Sequence, residues 1–269
     1  MCAAALLFRT PLRTRYWAWR LAHAGSAAER CTYLAALCNA GPAARWAIRA
    51  LMIDPQPEVR QYAVLVSQRL ENDWARRNLL EAARDTDAGV RRLAAAALAL
   101  HGDDSVVPVL KWLYQAGDEI SATTACMGLA RLGSPAAVNT LNELSREPAE
   151  TSRRSALADA LVHVGKPECV PGLLRLLDDE REYSSTAPEV SLRGELATEL
   201  EIAGYRLSTT PSTTSQGVVT IAGRAAEGLQ RITGLALPCE SRQERMSAAQ
   251  QWRDWHARRV SRQKNADRP

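Results

Sequence analysis

The residues that could bind a metal or act as nucleophiles are few and lie far apart in this sequence. They are four histidines and six cysteines, namely His23, His101, His163, His256, Cys2, Cys31, Cys38, Cys126, Cys169 and Cys239. No two histidines are four residues apart, and neither a His-Glu pair nor a Cys-x-x-Cys pair occurs, although metal sites commonly use such spacings. We therefore predict no metal site and no bound cofactor, and we interpret the cysteines as packing residues of a reduced protein.

Acidic and glycine-containing motifs do not indicate catalysis either. The stretch 85–89, Asp-Thr-Asp-Ala-Gly, is similar to the start of a calcium loop, but that loop needs Gly at its sixth position and Glu at its twelfth. Here Gly89 is fifth and Ala96 is twelfth, so we interpret the stretch as a turn between helices. Neither a Gly-x-Ser-x-Gly motif nor a phosphate-binding glycine loop occurs. We expect the protein not to be an enzyme.

The composition indicates which elements must position any functional residue. Alanine accounts for 46 of the 269 residues, and there is a single Phe. Strands favour β-branched and aromatic residues, whereas alanine is the best helix former and allows helices to pack closely. The composition therefore predicts an all-α protein.

Glycine or asparagine recurs about every 31 residues at the ends of alanine-rich stretches. The positions are Gly41, Asn72, Gly102, Gly133, Gly165, Gly204 and Gly234. These two residue types commonly end a helix in the left-handed conformation. A repeat of this length has room for two short helices, so the spacing predicts about six helix pairs.

Within each repeat, the second helix carries apolar residues along one face, as in the stretch 90–101. We predict first helices at 12–24, 44–53, 75–84, 107–116, 136–146 and 168–177, and second helices before each Gly or Asn, including one at 193–203 that ends at Gly204. Two polar stretches, 178–188 and 205–217, interrupt the period, and we interpret both as exposed insertions.

The sequence Asp-x-x-x-x-Val-Arg before an alanine-rich helix occurs twice, as Asp54 to Arg60 and as Asp85 to Arg91. In this the chain resembles HEAT repeats, and the short spacing is closest to their bilin-lyase-like class. The resemblance implies a right-handed α-α superhelix of about six helix pairs with a C-terminal capping helix.

Arg60 and Arg91 could form a row of cations on the inner face, or could bind the turn residues Asp54 and Asp85. We favour the second interpretation because the Asp recurs at the same offset.

The predicted organisation has four parts. Residues 1–11 form an N-terminal segment, residues 12–234 the repeat solenoid, residues 235–260 a capping segment, and residues 261–269 a tail. We expect Trp252 and Trp255 of the cap to pack near Leu229 and Ile232.

Charge is unevenly distributed along the chain. The first 20 residues contain four Arg and no acid, and residues 238–269 contain eight basic and four acidic residues, so the stretch 21–237 keeps 22 basic and 26 acidic residues. Polyanion binding needs a basic stripe on the body of the protein, which is net negative here, so nucleic acid is not the expected partner.

No apolar run is long enough to span a membrane, so we expect a cytoplasmic protein without a membrane partner. The preference for Arg over Lys suggests a bacterial source.

The second helices of such solenoids usually line the concave face. Their non-core positions are mixed and mildly apolar, which favours a protein partner. The residues that we expect to contact it are Arg69, Leu100, Met127, Arg131, Asp159, His163 and Ile202.

The leading hypothesis for the function is a non-catalytic scaffold or adaptor. The alternatives are a bilin-lyase-like chaperone or subunit that acts on a chromophore protein, and a HEAT-like DNA-binding protein. The oligomeric state is left open.

Overall fold

The computed structural model describes residues 2–70, 72–100, 104–184 and 218–266. Their fold is all-α, a solenoid of paired helices, as the composition and the glycine spacing predict. The described residues form two compact units, one up to Val109 and one from Leu110 onwards. We describe each unit by itself.

The first unit consists of three helix pairs that follow one another in sequence. The helices are α1 (Cys2–Ala22), α2 (Ala27–Ala40), α3 (Arg45–Met52), α4 (Pro57–Arg69), α5 (Asp73–Ala82) and α6 (Ala88–Leu100). The second helices α2, α4 and α6 pack in order, and α1 also contacts α3. Because Val59, Ala63 and Val66 of α4 recur at helical spacing, they form one buried face of that helix.

The second unit begins within α7 (Val107–Ala116) and continues the same alternation. Its further helices are α8 (Glu119–Leu132), α9 (Pro135–Leu144), α10 (Thr151–Val164), α11 (Val170–Leu176), α12 (Ile221–Thr233) and α13 (Arg242–Ala266). The second helices α8, α10 and α12 pack side by side, whereas α9 and α11 lie in the layer of first helices. Gly228 allows a close approach of α12 to α10, since a Cβ at this position would lie 2.6 Å from Cγ2 of Val162.

Three of the predicted helix ends adopt the left-handed conformation that favours glycine. Gly133, Gly165 and Gly234 have φ values of 53°, 62° and 71° and end α8, α10 and α12. The prediction for Asn72 is wrong, because α4 ends at Arg69 and the Asn72 side chain instead accepts a hydrogen bond from the Ala75 backbone N–H at the start of α5. Asparagine suits either end of a helix, so the sequence pattern did not distinguish them. Gly102 and Gly204 lie outside the described residues.

The pairing of the last repeat differs from the prediction. We expected α11 to pair with a helix at 193–203, which lies outside the described residues, but α11 packs against α12. Two short strands, β1 (Glu182–Ser184) and β2 (Val218–Thr220), pair antiparallel and join the two helices. The chain between β1 and β2 is therefore an insertion within one repeat, and the two ends of this insertion are adjacent because β1 pairs with β2.

The stretch 178–188 was predicted to be an exposed insertion, and Asp178, Glu180, Arg181 and Glu182 are exposed, whereas two other residues of the stretch pack inwards. Asp179 is only 9% exposed and Tyr183 is half-buried in β1. The backbone of this stretch also positions α12, because the Ala222 N–H donates to the Asp179 carbonyl oxygen at 2.8 Å and the Ile221 N–H donates to the Arg181 carbonyl oxygen at 3.0 Å. Residues 185–188 and the second insertion, 205–217, lie outside the described residues.

Helix α13 covers the apolar end of the second unit and packs on α11 and α12. Trp252 is fully buried there and Trp255 is half-buried, and α12 contributes the buried Leu229. None of the helices in the described part of the chain is both long and apolar enough to cross a membrane.

Candidate partner-binding surface

Four of the predicted contact residues lie on two neighbouring second helices of the second unit. Met127 and Arg131 are one turn apart on α8, and Asp159 and His163 are one turn apart on α10. Because α8 and α10 pack side by side, these two rows belong to one helical layer. Arg131 and His163 are exposed, and Met127 is half-buried. We call these four residues the α8–α10 surface.

Asp159 is the most constrained residue of the α8–α10 surface. Its Oδ1 accepts hydrogen bonds from the Tyr183 hydroxyl at 3.1 Å and from the Arg224 Nε at 2.8 Å. Burial raises the pKa of Asp159, and the nearby Arg224 and Tyr183 only partly oppose this effect. Asp159 thus holds β1 and α12 against α10, and it presents little free carboxylate to a partner.

No sequence pattern singled out Tyr183 and Arg224 as functional residues. Arg224 is the fourth residue of α12, and Arg60, Arg91 and Arg154 are the fourth residues of α4, α6 and α10, so the repeat position itself could have indicated it. Tyr183 lies in a polar stretch that was interpreted as a loop, and nothing in its spacing indicated burial. The Arg224 Nη1 also donates to Oε2 of Glu227 at 2.7 Å.

The remaining predicted contact residues lie elsewhere. Arg69 is the last residue of α4 and is exposed, and Leu100 is the last residue of α6 and is 36% exposed. Both belong to the first unit. Ile202 lies outside the described residues.

The repeated arginines bind turns, as the favoured interpretation predicts. Nε and Nη2 of Arg60 donate to the two carboxylate oxygens of Asp85 in the next repeat, each at 2.8 Å, and its Nη1 donates to the carbonyl oxygen of Asp54 at 2.8 Å. Nη1 of Arg91 donates to the carbonyl oxygen of Asp85 at 2.9 Å. Burial alone would raise the pKa of Asp85, but the hydrogen bonds from Arg60 and from the Asp87 N–H lower it below its usual value.

The second unit repeats this arrangement and extends it. Arg154 binds Asp179, which is again 25 residues further along the chain, and Arg181 binds the same carboxylate. These hydrogen bonds lower the pKa of Asp179 although its burial favours the opposite change. In α13, Arg245 is again the fourth residue, and its Nη2 donates to both carboxylate oxygens of Glu180 at 2.6 Å. The capping helix is therefore attached through the same arginine position as a repeat helix.

Besides the arginine–carboxylate pairs, the second unit contains two buried cysteine thiols. Burial raises the pKa of the Cys126 and Cys169 thiols, to about 11 for Cys169, so both stay protonated at neutral pH and are poor nucleophiles. No group of three His, Cys, Asp or Glu side chains that could hold a metal occurs among the described residues. A shallow depression of about 300 Å³ lies beside Arg154 and Arg181, whose guanidinium groups are already bound to Asp179.

Comparison with known proteins supports the repeat assignment. Residues 76–162 match a family model described as HEAT repeats. This segment extends from α5 to α10 and includes Asp85, Arg91 and Arg154. This part of the chain is therefore similar to HEAT repeats. A search of curated proteins finds no match to the chain.

Proposed function

We propose that this protein is a non-catalytic scaffold or adaptor that binds a partner protein through second helices of its repeats. Stacked helical repeats offer extended surfaces for such partners, and HEAT repeats commonly mediate protein interactions. The proposal rests chiefly on the α8–α10 surface. Its exposed side chains lie beside the hydrogen bonds that join Asp159 to Tyr183 and Arg224. We keep its cytoplasmic location as a prediction.

The network around Asp159 supports a binding role by keeping the surface in one conformation. Tyr183 and Arg224 connect β1, α10 and α12, so little conformational freedom is lost when a partner docks. Met127 contributes an adaptable apolar contact, and Arg131 and His163 contribute exposed polar contacts. Arg224 is paired with Asp159 and Glu227, so few charges of this surface are available to a partner and we expect binding to depend only weakly on salt.

The bilin-lyase-like and DNA-binding alternatives are not favoured by any geometry of the described residues. Burial raises the pKa of the Cys126 and Cys169 thiols, so these two are poor nucleophiles for a lyase. The partly exposed cysteines among the described residues have no His next to them in the sequence, namely Cys31, Cys38 and Cys239. A row of unpaired cations would favour DNA, but Arg60, Arg154 and Arg224 are bound to carboxylates.

The test is capture of partner proteins from the native host, followed by quantitative mass spectrometry and a binding assay with the purified partner. The variant Met127→Glu/Arg131→Glu/His163→Glu should bind the partner at least about 100-fold more weakly, because it places three acids on one face. Its far-UV spectrum should stay helical, since all three side chains are at least partly exposed.

A matched control changes the layer of first helices by the same net charge. In the variant Ala136→Glu/Asn139→Glu/Arg146→Glu, all three positions are exposed on or just after α9. It should bind as the unchanged protein does. If both variants bind the partner as tightly as the unchanged protein does, the interface lies elsewhere. If both variants lose the same affinity, the effect of the added negative charge is nonspecific.

A further inference from the structure

Helix α1 carries apolar residues on two opposite sides. Thr14, Ala18 and Leu21 are at most 5% exposed and face the first unit. Leu12, Tyr16 and Trp19 are 66%, 52% and 56% exposed. At about 100° per residue, these three follow one line at i, i+4 and i+7 that lies opposite the buried face. We call Leu12, Tyr16 and Trp19 the α1 stripe.

The α1 stripe is ordered and continuous. The ring of His23, one turn beyond Trp19, stacks on the Trp19 ring with the centroids 4.9 Å apart. Single exposed apolar residues are ordinary on protein surfaces, but a line of large ones usually marks an interaction site. The described residues of the first unit do not cover this second apolar side of α1, which makes it a candidate contact surface.

Positive charge lies on both sides of the α1 stripe. The helical periodicity places Arg15 on one side and Arg13 on the other, and both are exposed. Arg13 also stacks on the ring of Trp17, with its guanidinium carbon 4.9 Å from the ring centroid. Residues 1–53 contain seven Arg and one acid, Glu29, so their net charge is +6. Because the whole chain has a net charge of +4, residues 54–269 have a net charge of −2. This charge favours an anionic partner.

The shape and chemistry of the stripe select among anionic partners. A second copy of α1 would bring arginines against arginines, which is repulsive. A partner helix docks into a groove, whereas the α1 stripe is a ridge on the outward side of one helix. Nucleic acid would stack on Trp19 and pair with the arginines, but it would gain nothing from the exposed Leu12. A lipid surface uses every one of these groups.

We propose that the α1 stripe binds a membrane surface that contains anionic lipids. Leu12 and the rings of Tyr16 and Trp19 enter the boundary between headgroups and acyl chains, and Arg13 and Arg15 lie at the level of the phosphates. This inference differs from the sequence-based expectation of no membrane partner, which considered only spanning segments. It is independent of the proposed scaffold function.

The test is co-sedimentation of the full-length protein with vesicles. One set is phosphatidylcholine alone, and the other contains roughly one-quarter phosphatidylglycerol. The protein should sediment with the anionic vesicles, remain in solution with the neutral ones, and be released by high salt. Protein that remains in solution with anionic vesicles at low salt overturns the proposal.

Two variants separate the apolar and the charged contributions. Leu12→Ser/Tyr16→Ser/Trp19→Ser should lose vesicle binding while the arginines remain. Arg13→Gln/Arg15→Gln should bind anionic vesicles at least about tenfold more weakly, because each cation near an anionic surface contributes several-fold to the partition. Binding that survives the serine variant contradicts the proposal.

Matched controls change similar residues in the remainder of the chain. The variant Trp112→Ser/Ile120→Ser/Met246→Ser removes side chains that are 43%, 53% and 42% exposed. The variant Arg84→Gln/Arg146→Gln removes two exposed cations. Both should sediment as the unchanged protein does, and loss of binding in either contradicts an assignment to α1.

A fluorescence measurement tests insertion without disturbing the apolar surface. Brominated acyl chains quench an indole that enters the boundary region, so anionic vesicles with such lipids should quench part of the tryptophan emission. That part should disappear in Trp19→Phe, although the variant still sediments. If vesicles never bind and the serine variant instead loses a captured protein, the α1 stripe is a protein interface and the lipid proposal is wrong.

Discussion

Helices α1 and α13 are both rich in tryptophan and arginine, but their tryptophans have different surroundings. Each contains two tryptophans and several arginines. In α13, Trp252 is fully buried together with Ala248 and Ala249, because the helix packs on both α11 and α12. In α1, Trp19 is 56% exposed on the side opposite the packed face. The contrast teaches that a tryptophan stabilises the fold only where a neighbouring layer covers its side of the helix, since α1 packs through Ala18 and Leu21 but not through Trp19.

The carboxylates of the second unit differ in a parallel way. Asp179 accepts hydrogen bonds from two arginines and its pKa is lowered, whereas Asp159 is bound by one arginine and Tyr183 and its pKa is raised. Burial favours the neutral form of both carboxyl groups, but Glu227 adds to this effect at Asp159, whereas the backbone N–H of Arg181 adds a further donor at Asp179. Asp179 therefore stabilises the fold in its ionised form, and Asp159 does not.

The largest effect is expected at Trp252. Trp252→Ala should reduce the free energy of unfolding by about 4 kcal/mol, because it removes a fully buried ring and leaves a cavity. Urea titration of the two proteins measures the difference. Trp252→Phe is the control and should cost much less, since the indole Nε1 has no hydrogen-bond partner among the described residues. A loss below about 1 kcal/mol for the alanine variant would mean that α13 does not stabilise the second unit.

Asp179→Asn should have the next largest effect, about 2 kcal/mol at neutral pH. The amide keeps one acceptor oxygen but places donors against the guanidinium groups of Arg154 and Arg181. Because the folded pKa of Asp179 is lowered, its contribution is present above the unfolded value near pH 4 and is lost as the pH falls further. The stabilities of the variant and the unchanged protein should therefore approach each other as the pH falls below the unfolded value and through the lowered folded pKa, and a constant difference in acid would be inconsistent with ionic stabilisation.

Asp159→Asn should cost less than about 1 kcal/mol at neutral pH. The Oδ1 of the amide can still accept from Tyr183 and Arg224. A raised folded pKa means that this group favours folding below the unfolded value near pH 4 and that the contribution is lost as the pH rises through the folded pKa. Thermal unfolding at pH 7 measures the effect, and a cost as large as that of Asp179→Asn would contradict the distinction between the two carboxylates.

The smallest effect is expected at Trp19. Trp19→Ala should change the free energy of unfolding by no more than about 0.5 kcal/mol, because the ring is mostly exposed. The same urea titration as for Trp252 gives a direct comparison of the two tryptophans. A loss of several kcal/mol at Trp19 would show that the α1 stripe is structural.

Much of the fold is predictable from local sequence. The alanine content, the recurring glycines and the Asp-x-x-x-x-Val-Arg motif indicate helix pairs, and α7 has the predicted bounds Val107–Ala116. These signals work because helix ends and turn contacts depend on residues only a few positions apart. The binding of Arg60 to Asp85 was foreseen for the same reason, since a repeat places equivalent residues at a constant spacing.

The tertiary structure alone decided which residues lie together over long distances. The pairing of α11 with α12 across an insertion, the link from Asp159 to Arg224, and the burial of Asp179 join residues whose neighbourhood no local pattern encodes. The exposure of Trp19 and the burial of Trp252 also depend on whether a neighbouring layer of helices covers them. Helical periodicity specifies the face of a helix on which a side chain lies, but burial depends on whether another element covers that face, and this is a property of the packed chain.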